Sequence, residues 1–111
     1  MTPTNTYVQP DFCAVMPDDS MAGAGIYSGD MVYFVACDHV ENGQIAAVRL
    51  GEIVMVRRVE DNGKCVALIP ANPVYSATSV DEPAAGVEFL GRLVESRHRF
   101  DEPAAAADTP P

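Results

Sequence analysis

The apolar residues of this chain come in short runs, and glycine, proline, asparagine or aspartate interrupts each run after a few residues. No long window has the 3.6-residue spacing of apolar side chains that marks an amphipathic helix. Short apolar runs bounded by turn residues are typical of β-strands. The predicted strands cover residues 12–16, 31–37, 44–50, 53–60, 65–69 and 87–96. The sequence therefore predicts an all-β fold in which any helix is a single turn.

Turn residues predict where several of these strands begin and end. Asn62-Gly63 predicts a hairpin turn between the fourth and fifth strands, because both residues tolerate the positive φ angles that tight hairpins require. Pro70 and Pro73 end the fifth strand, since proline lacks the N–H that the interior of a sheet needs. Gly91 interrupts the last strand and predicts a β-bulge there.

The two ends of the chain differ in composition from the part between them. Residues 1–10 are rich in threonine and proline, and residues 101–111 (DEPAAAADTPP) are rich in proline, alanine and acidic side chains. Neither end has enough apolar residues to offset the entropy lost on ordering, so both are predicted to be flexible or disordered. Residues 11–100 are predicted to form one domain, a length that is typical of single domains.

The charge of the chain limits the partners it can have. Its 111 residues include 7 basic and 16 acidic side chains, which give a formal net charge of −9. Such a charge argues against binding of nucleic-acid phosphates by this segment alone. No apolar run approaches the roughly 20 residues of a membrane span, and the N-terminus lacks the basic-then-apolar order of a signal peptide. These features predict a soluble cytoplasmic protein without a membrane partner.

The three cysteines, Cys13, Cys37 and Cys65, lie far apart and form no C-x-x-C pair. Their odd number fits a reducing compartment in which they are small buried apolar residues. Their spacing relative to His39 and His98 does not match the common zinc patterns. We therefore predict neither a metal site nor a cofactor.

The most distinctive segment is the turn that follows the first strand, residues 18–30 (DDSMAGAGIYSGD). Ser20 lies there among glycine and alanine residues, which let the backbone approach a bound group closely. A serine so placed is a candidate nucleophile. The neighbouring backbone N–H groups are candidates for its oxyanion hole, and the N–H of Met21 is the main one. The alternative interpretation is a polar turn in which the serine only caps the backbone.

Motifs in order along the chain resemble those of the S24 peptidase family, which includes LexA-like and UmuD-like proteins and the C-terminal domains of phage repressors. The first motif surrounds Ser20 as S-M-x-x-x-G-I-x-x-G-D. The others are N-G-Q-I-A-A-V at 42–48, with Gln44 where aspartate is usual, V-R-R-V at 56–59, L-I-P-A-N-P-V-Y at 68–75 and F-L-G-R-L-V at 89–94. The resemblance covers most of the predicted domain.

The resemblance implies a LexA-like fold of small twisted sheets and a serine–lysine catalytic dyad with Ser20 as the nucleophile. It also implies self-cleavage at an Ala-Gly or Cys-Gly bond upstream of the serine. The partners that it implies are a second copy of the chain, DNA through a separate helix-turn-helix domain, and a RecA-like co-protease. The apolar strand at 87–94 is predicted to be the edge through which two copies pair.

Arg57 occupies the position at which the resemblance places the catalytic lysine, in a matching Val-x-Arg context. A desolvated lysine can lose its proton and act as a general base, whereas arginine stays protonated and only donates hydrogen bonds. We therefore predict an inactive site in which Arg57 lies beside Ser20 as a fixed positive charge. Asp18, Asp19 or Glu52 is expected to form an ion pair with it.

Three other side chains could supply the base: Lys64, His39 and His98. Lys64 is the only lysine of the chain and lies in the predicted hairpin turn, so we expect it to be solvated. Both histidines are expected in exposed loops. The basic side chains near the end are expected to pair with acidic side chains of the chain rather than with phosphates: Arg92, Arg97, His98 and Arg99.

Nineteen residues precede Ser20 and contain no Ala-Gly or Cys-Gly pair, so either the chain belongs to a longer protein or it has no cleavage site of its own. We interpret it as the C-terminal dimerisation and regulatory domain of a LexA-like or phage-repressor-like transcriptional regulator. One alternative is an active self-cleaving serine peptidase of the SOS response that uses another base. A second alternative is a UmuD-like accessory subunit of a translesion polymerase.

Overall fold

The computed structural model describes residues 8–81 and 86–98. Within these ranges the chain forms one antiparallel sheet of seven strands, in the order β1-β2-β7-β3-β4-β5-β6. The strands are β1 (Phe12–Val15), β2 (Met31–Ala36), β3 (Ile45–Leu50), β4 (Ile53–Asp61), β5 (Val66–Ile69), β6 (Thr78–Val80) and β7 (Val87–Arg97). The helical structure in this part of the chain is a single 3-10 turn, Ala22–Ala24. The all-β fold predicted from the sequence is confirmed.

Every strand predicted from the sequence forms, and each of its limits lies within one residue of the predicted limit. Only β6 is missing from the prediction. Its Thr-Ser-Val sequence is short and mostly polar, and it becomes a strand by pairing with β5, where Thr78 lies opposite Leu68. Local sequence carries little information about such a strand, because the partner supplies the pairing.

The Asn62-Gly63 hairpin turn is present between β4 and β5, as predicted. Gly63 has a φ of 90°, which glycine adopts without strain. The side-chain oxygen of Asn62 accepts hydrogen bonds of 2.9 Å from the N–H groups of Lys64 and Cys65.

The last strand is irregular, but the extra residues are not at Gly91. The pairing register skips Leu90 on the β3 side and Val94 on the β2 side. A Cβ at Gly91 would lie 2.8 Å from the carbonyl oxygen of Val35 and 2.9 Å from the Phe12 ring. Glycine is therefore required there for close packing against β1 and β2, rather than as the bulged residue.

β7 lies between β2 and β3 in the strand order. β3 pairs with the first half of β7, and β2 pairs with the second half. Only Gly91 and Arg92 are paired on both sides, so each half of β7 keeps one side without a strand partner among the described residues, and pairing of two copies along 87–94 stays a prediction. The edges of the sheet are β1 and β6.

Two buried apolar clusters, formed mostly by side chains of the strands, make up the core. Ala46 and Ala47 are neighbours on β3 but belong to different clusters, since successive side chains of a strand point to opposite faces. Met21 and Ile26, from the turn that carries Ser20, are buried in the first cluster. The core therefore anchors this turn on both sides of its 3-10 segment.

The cysteines are less buried than predicted. Cys13 is exposed because it lies on the edge strand β1, and Cys37 and Cys65 are half-buried. The expectation of buried thiols is thus wrong for Cys13.

The flexible ends predicted for 1–10 and 101–111 fall almost entirely on residues 1–7 and 99–111, which lie outside the described residues. Within the described part of the chain, no helix is long and apolar enough to cross a membrane.

Candidate active site

The turn after β1 places Ser20 against Arg57 of β4. Nη1 of Arg57 donates a hydrogen bond of 2.8 Å to Ser20 Oγ. Ser20 is 0% exposed, and Arg57 is half-buried. The two residues are 37 positions apart in the sequence, so the sheet rather than local structure makes this contact. The proximity predicted for them is present.

The segment that follows β5 holds the serine turn in place. The Ala71 N–H donates to the carbonyl oxygen of Ser20 at 2.8 Å, and the Gly23 N–H donates to the carbonyl oxygen of Ala71 at 2.6 Å. The side-chain amide of Asn72 donates to the carbonyl oxygen of Asp19 at 2.8 Å. A Cβ at Gly23 would lie 2.5 Å from the Ala71 carbonyl oxygen, so this approach requires glycine. The motif at 68–75 contains this segment, but the sequence does not predict the hydrogen bond of the Asn72 amide.

Asp18 and Asp19 organise the backbone of the turn instead of pairing with Arg57. One carboxylate oxygen of Asp18 accepts the Ser20 N–H at 3.1 Å, and one of Asp19 accepts a backbone N–H farther along the turn at 2.8 Å. Among the described residues, no carboxylate lies within 4.0 Å of an Arg57 nitrogen. The expected ion pair with Asp18, Asp19 or Glu52 is therefore wrong.

None of the three alternative bases contacts the serine in the described structure. Lys64 is exposed in the hairpin turn, as predicted, and His39 is exposed in the loop between β2 and β3. His98 contacts Asp30 instead. Arginine is the one side chain of the described range that is hydrogen-bonded to the serine hydroxyl, and arginine does not accept a proton.

Asp30 is a buried carboxylate at the end of the serine turn. Its Oδ2 accepts the Tyr27 N–H at 2.9 Å, and its Oδ1 lies 2.5 Å from Nδ1 of His98. The hydrogen bond from the Tyr27 backbone lowers the pKa of Asp30 from its ordinary value of 3.8, although burial opposes this shift. The hydrogen bond and the charge of His98 lower it further.

His98 is exposed and lies outside the strands, as predicted, and its ring is paired with Asp30. The predicted internal pairing of the basic residues is confirmed for His98 and for Arg97, whose Nε lies 2.8 Å from Glu95. Arg99 lies outside the described residues. In the ranges that the structure describes, no three His, Cys, Asp or Glu side chains lie together as metal ligands.

With this geometry established, comparison with known proteins assigns the family. A family model described as Peptidase S24-like matches residues 2–94. The chain belongs to the Peptidase S24-like family. Relatives include the LexA repressors of Herminiimonas arsenicoxydans (38% identical over 73 residues), Acidovorax sp. strain JS42 (37% over 86 residues) and Azoarcus sp. strain BH72 (36% over 75 residues). These alignments cover 66%, 78% and 68% of the chain but 33%, 38% and 37% of the repressors, so the chain spans little more than a third of their length.

In this S24-like domain, the Met21 backbone beside Ser20 uses its carbonyl oxygen, and not its N–H, in hydrogen bonds within the described residues. Its carbonyl oxygen accepts the Ala24 and Ile26 N–H groups at 2.9 and 3.2 Å. Its own N–H has no hydrogen-bond partner among residues 8–81 and 86–98. An unpaired N–H beside a serine is a component of an oxyanion hole, and the catalytic role of Met21 stays a prediction.

An apolar groove of about 250 Å³ adjoins the serine turn of this S24-like domain. Phe12 and Val15 of β1 line one side, and Val54 and Val56 of β4 line the other. Pro17, which leads into the serine turn, also lines the groove. The groove thus lies between the strand that precedes the serine and the strand that carries the arginine.

Proposed function

We propose that this chain is the C-terminal regulatory and dimerisation domain of a LexA-like or phage-repressor-like transcriptional regulator. The relatives named LexA repressor support this assignment, since the chain aligns with about a third of their length. The net charge of −9 supports DNA contact through a separate helix-turn-helix domain, because acidic surfaces repel phosphates. Such a regulator works in the cytoplasm, and the resemblance adds a RecA-like filament as a partner.

We further propose that the domain does not cleave itself. The observation that carries this proposal is the 2.8 Å hydrogen bond from Arg57 to Ser20. Attack by a serine hydroxyl requires a base that takes its proton. A guanidinium has no acceptor site and keeps its proton, so Arg57 fixes the serine oxygen without activating it.

The direct test compares the wild type with Arg57→Lys in the full-length protein that contains this domain. We expect the wild type to stay intact from neutral to alkaline pH. The lysine variant should cleave itself, and faster as the pH rises, because a lysine at this position can lose its proton. Mass spectrometry of the incubated proteins identifies the fragments.

Arg58→Lys is the matched control, because it makes the same change one position along β4. Arg58 donates to the carbonyl oxygen of Gly43 at 2.7 Å and does not contact the serine. This control should stay intact like the wild type, and adding Ser20→Ala to Arg57→Lys should abolish cleavage. Cleavage of the wild type at the rate of the Arg57→Lys variant would contradict the proposed inactivity.

A further inference from the structure

The hairpin between β4 and β5 carries an exposed asparagine–glycine pair, Asn62-Gly63. Attack of the Gly63 backbone nitrogen on the side-chain carbonyl carbon of Asn62 would close a cyclic imide. Because neighbouring residues of one chain hold both groups, they have the high effective concentration of an intramolecular reaction. Glycine also has no side chain that would hinder the attack.

A carboxylate contacts the proton that the Gly63 nitrogen must lose. The Gly63 N–H donates a hydrogen bond of 2.8 Å to Oδ1 of Asp61. The lone pair of an amide nitrogen is delocalised into its carbonyl group, so the nitrogen attacks only as it loses this proton. The Asp61 carboxylate is therefore positioned as a base for Gly63.

The oxygen that would take up negative charge during the attack is bound as well. The backbone N–H groups of Lys64 and Cys65 both donate to Oδ1 of Asn62 at 2.9 Å. Two such donors polarise the carbonyl group and stabilise the oxyanion that forms on attack, which is the task of an oxyanion hole. The turn thus surrounds one side-chain amide with a nucleophile, a base and an oxyanion hole.

A second asparagine–glycine pair, Asn42-Gly43, lies between β2 and β3 and lacks the base. Gly43 has nearly the same backbone φ as Gly63, 88° against 90°. The Gly43 N–H donates instead to the backbone carbonyl oxygen of Val59 at 2.8 Å. A backbone carbonyl does not take up a proton, so this hydrogen bond keeps the Gly43 nitrogen protonated. The fold therefore distinguishes two pairs that are alike in sequence.

We propose that Asn62 is a site of self-catalysed deamidation in the folded protein. The Gly63 nitrogen bonds to Cγ of Asn62 while its proton passes to the Asp61 carboxylate. The Cγ–Nδ2 bond then breaks, and the amide leaves as ammonia with the proton that Asp61 returns. The product is a succinimide, which water opens to aspartate or to isoaspartate.

The modification changes the charge and the backbone of the hairpin. Asp61 and Asn62 line a cavity of about 220 Å³ that is open to the water needed to hydrolyse the succinimide. Either product adds one negative charge to a chain whose net charge is −9. Aspartate keeps an oxygen that can accept the two N–H groups of the turn, whereas isoaspartate adds a carbon to the backbone directly after β4. Neither product involves the serine site, so the inference is independent of the proposed function.

The test follows both asparagine–glycine pairs of the wild-type 111-residue chain at neutral pH, in the folded state and in concentrated urea. Peptide mass spectrometry detects the conversion of amide to acid, and chromatographic separation of the aspartate and isoaspartate peptides identifies the succinimide route. In the folded chain we expect Asn62 to react at least about tenfold faster than Asn42, because a base acts at Asn62 only. In urea the two rates should converge, since the contacts that distinguish the pairs are lost. This comparison needs no variant to fold.

Two variants test the base. Asp61→Asn should slow the reaction at Asn62 by about tenfold or more, because it removes the base but keeps an oxygen for the Gly63 N–H. Glu60→Gln is the matched control, since Glu60 is exposed, lines the same cavity and makes no hydrogen bond or ion pair within the described ranges. Its rate should stay within about twofold of the wild type, because salt screens exposed charges.

Equal rates at Asn62 and Asn42 in the folded chain would overturn the proposal. A rate at Asn62 that is higher in urea than in the folded chain would overturn it as well, because the fold would then hinder the attack. Unchanged deamidation in the Asp61→Asn variant would refute the role of the carboxylate. Self-cleavage gives different fragments in the same spectra and bears only on the proposed function.

Discussion

Arginine in place of lysine changes the chemistry available to Ser20 while keeping a hydrogen bond to its oxygen. Both side chains carry a positive charge on a long stem, but only the lysine amine can give up its proton near neutral pH. The 2.8 Å contact from Arg57 shows that the larger guanidinium fits the site with the serine fully buried. The identity of this one residue therefore decides whether the site only binds the serine hydroxyl or can also remove its proton.

Gly23→Ala is expected to lower the free energy of unfolding by about 1–3 kcal/mol, because a close-packed site must move to admit the methyl group. The added Cβ would lie 2.5 Å from the carbonyl oxygen of Ala71, which is backbone and cannot rotate away. The two segments that hold Ser20 would have to separate. Urea unfolding followed by circular dichroism measures the change.

Gly86→Ala is the control for this prediction. No atom lies within 4 Å of the Cβ that it would add, and its φ is not in the left-handed region. Its free energy of unfolding should stay within about 0.5 kcal/mol of the wild type, which is the spread of ordinary surface substitutions. Equal midpoints for Gly23→Ala and Gly86→Ala would show that the two segments are not packed as described.

At the scale of elements, Asp30 and His98 join the start of β2 to the residue after β7. They are 68 positions apart, and Asp30 also accepts the Tyr27 N–H of the serine turn. The Arg97 guanidinium lies 5.2 Å from the centre of the Tyr33 ring and adds a second contact between the same two strands. The end of β7 thus supports the serine turn without reaching the serine.

Asp30→Asn should destabilise the protein at neutral pH, and the difference from the wild type should shrink in acid. The pKa of Asp30 is lower in the folded protein than its ordinary value of 3.8. The ionised carboxylate therefore stabilises the fold above the unfolded-state pKa, and this contribution disappears as the pH falls through the folded-state pKa. Urea unfolding from neutral to strongly acidic pH measures both proteins.

Asp38→Asn is the control for Asp30, because Asp38 is exposed and makes no hydrogen bond or ion pair within the described range. Its stability should match the wild type at neutral pH. A difference between Asp30→Asn and the wild type that grows as the pH falls would refute the role given to the ionised carboxylate.

Local sequence predicts most of the strands of this sheet, but it does not predict how they pair. The predicted strands and the Asn62-Gly63 turn follow from local residue preferences. Each of them forms, and the strand limits lie within one residue of the predicted ones. The order of strands along the chain does not predict that β7 lies between β2 and β3, because tertiary contacts select the pairing partners of a strand. β6 was missed for a related reason, since its pairing with β5 outweighs its polar sequence.

For the whole molecule, the net charge of −9 and the sheet edges govern association. We expect the chain to form a dimer at high micromolar concentration, with a dimer fraction that rises with salt. Each copy repels the other, and salt screens this repulsion between exposed charges. Sedimentation velocity over a range of salt concentrations measures the dimer fraction.

A chain that sediments as a monomer at every salt concentration would contradict the proposed dimerisation. The edge strands β1 and β6, and the two half-paired ends of β7, are the strand segments with an open side in the described structure. All four residues of β1 are exposed and uncharged, so the side chains of this strand add no charge repulsion to pairing along it.

By itself the sequence determined six of the seven β-strands, the turn that carries Ser20, the family resemblance and the arginine that replaces a base. These depend on residue type and local spacing, which the linear order contains. Only the tertiary structure decided that Asp30 pairs with His98 and that Ala71 and Asn72 hold the serine turn. It also decided that Arg57 lacks an ion-pair partner within the described chain. Such contacts join residues far apart in the chain, and they form only when the order of strands in the sheet brings those residues together.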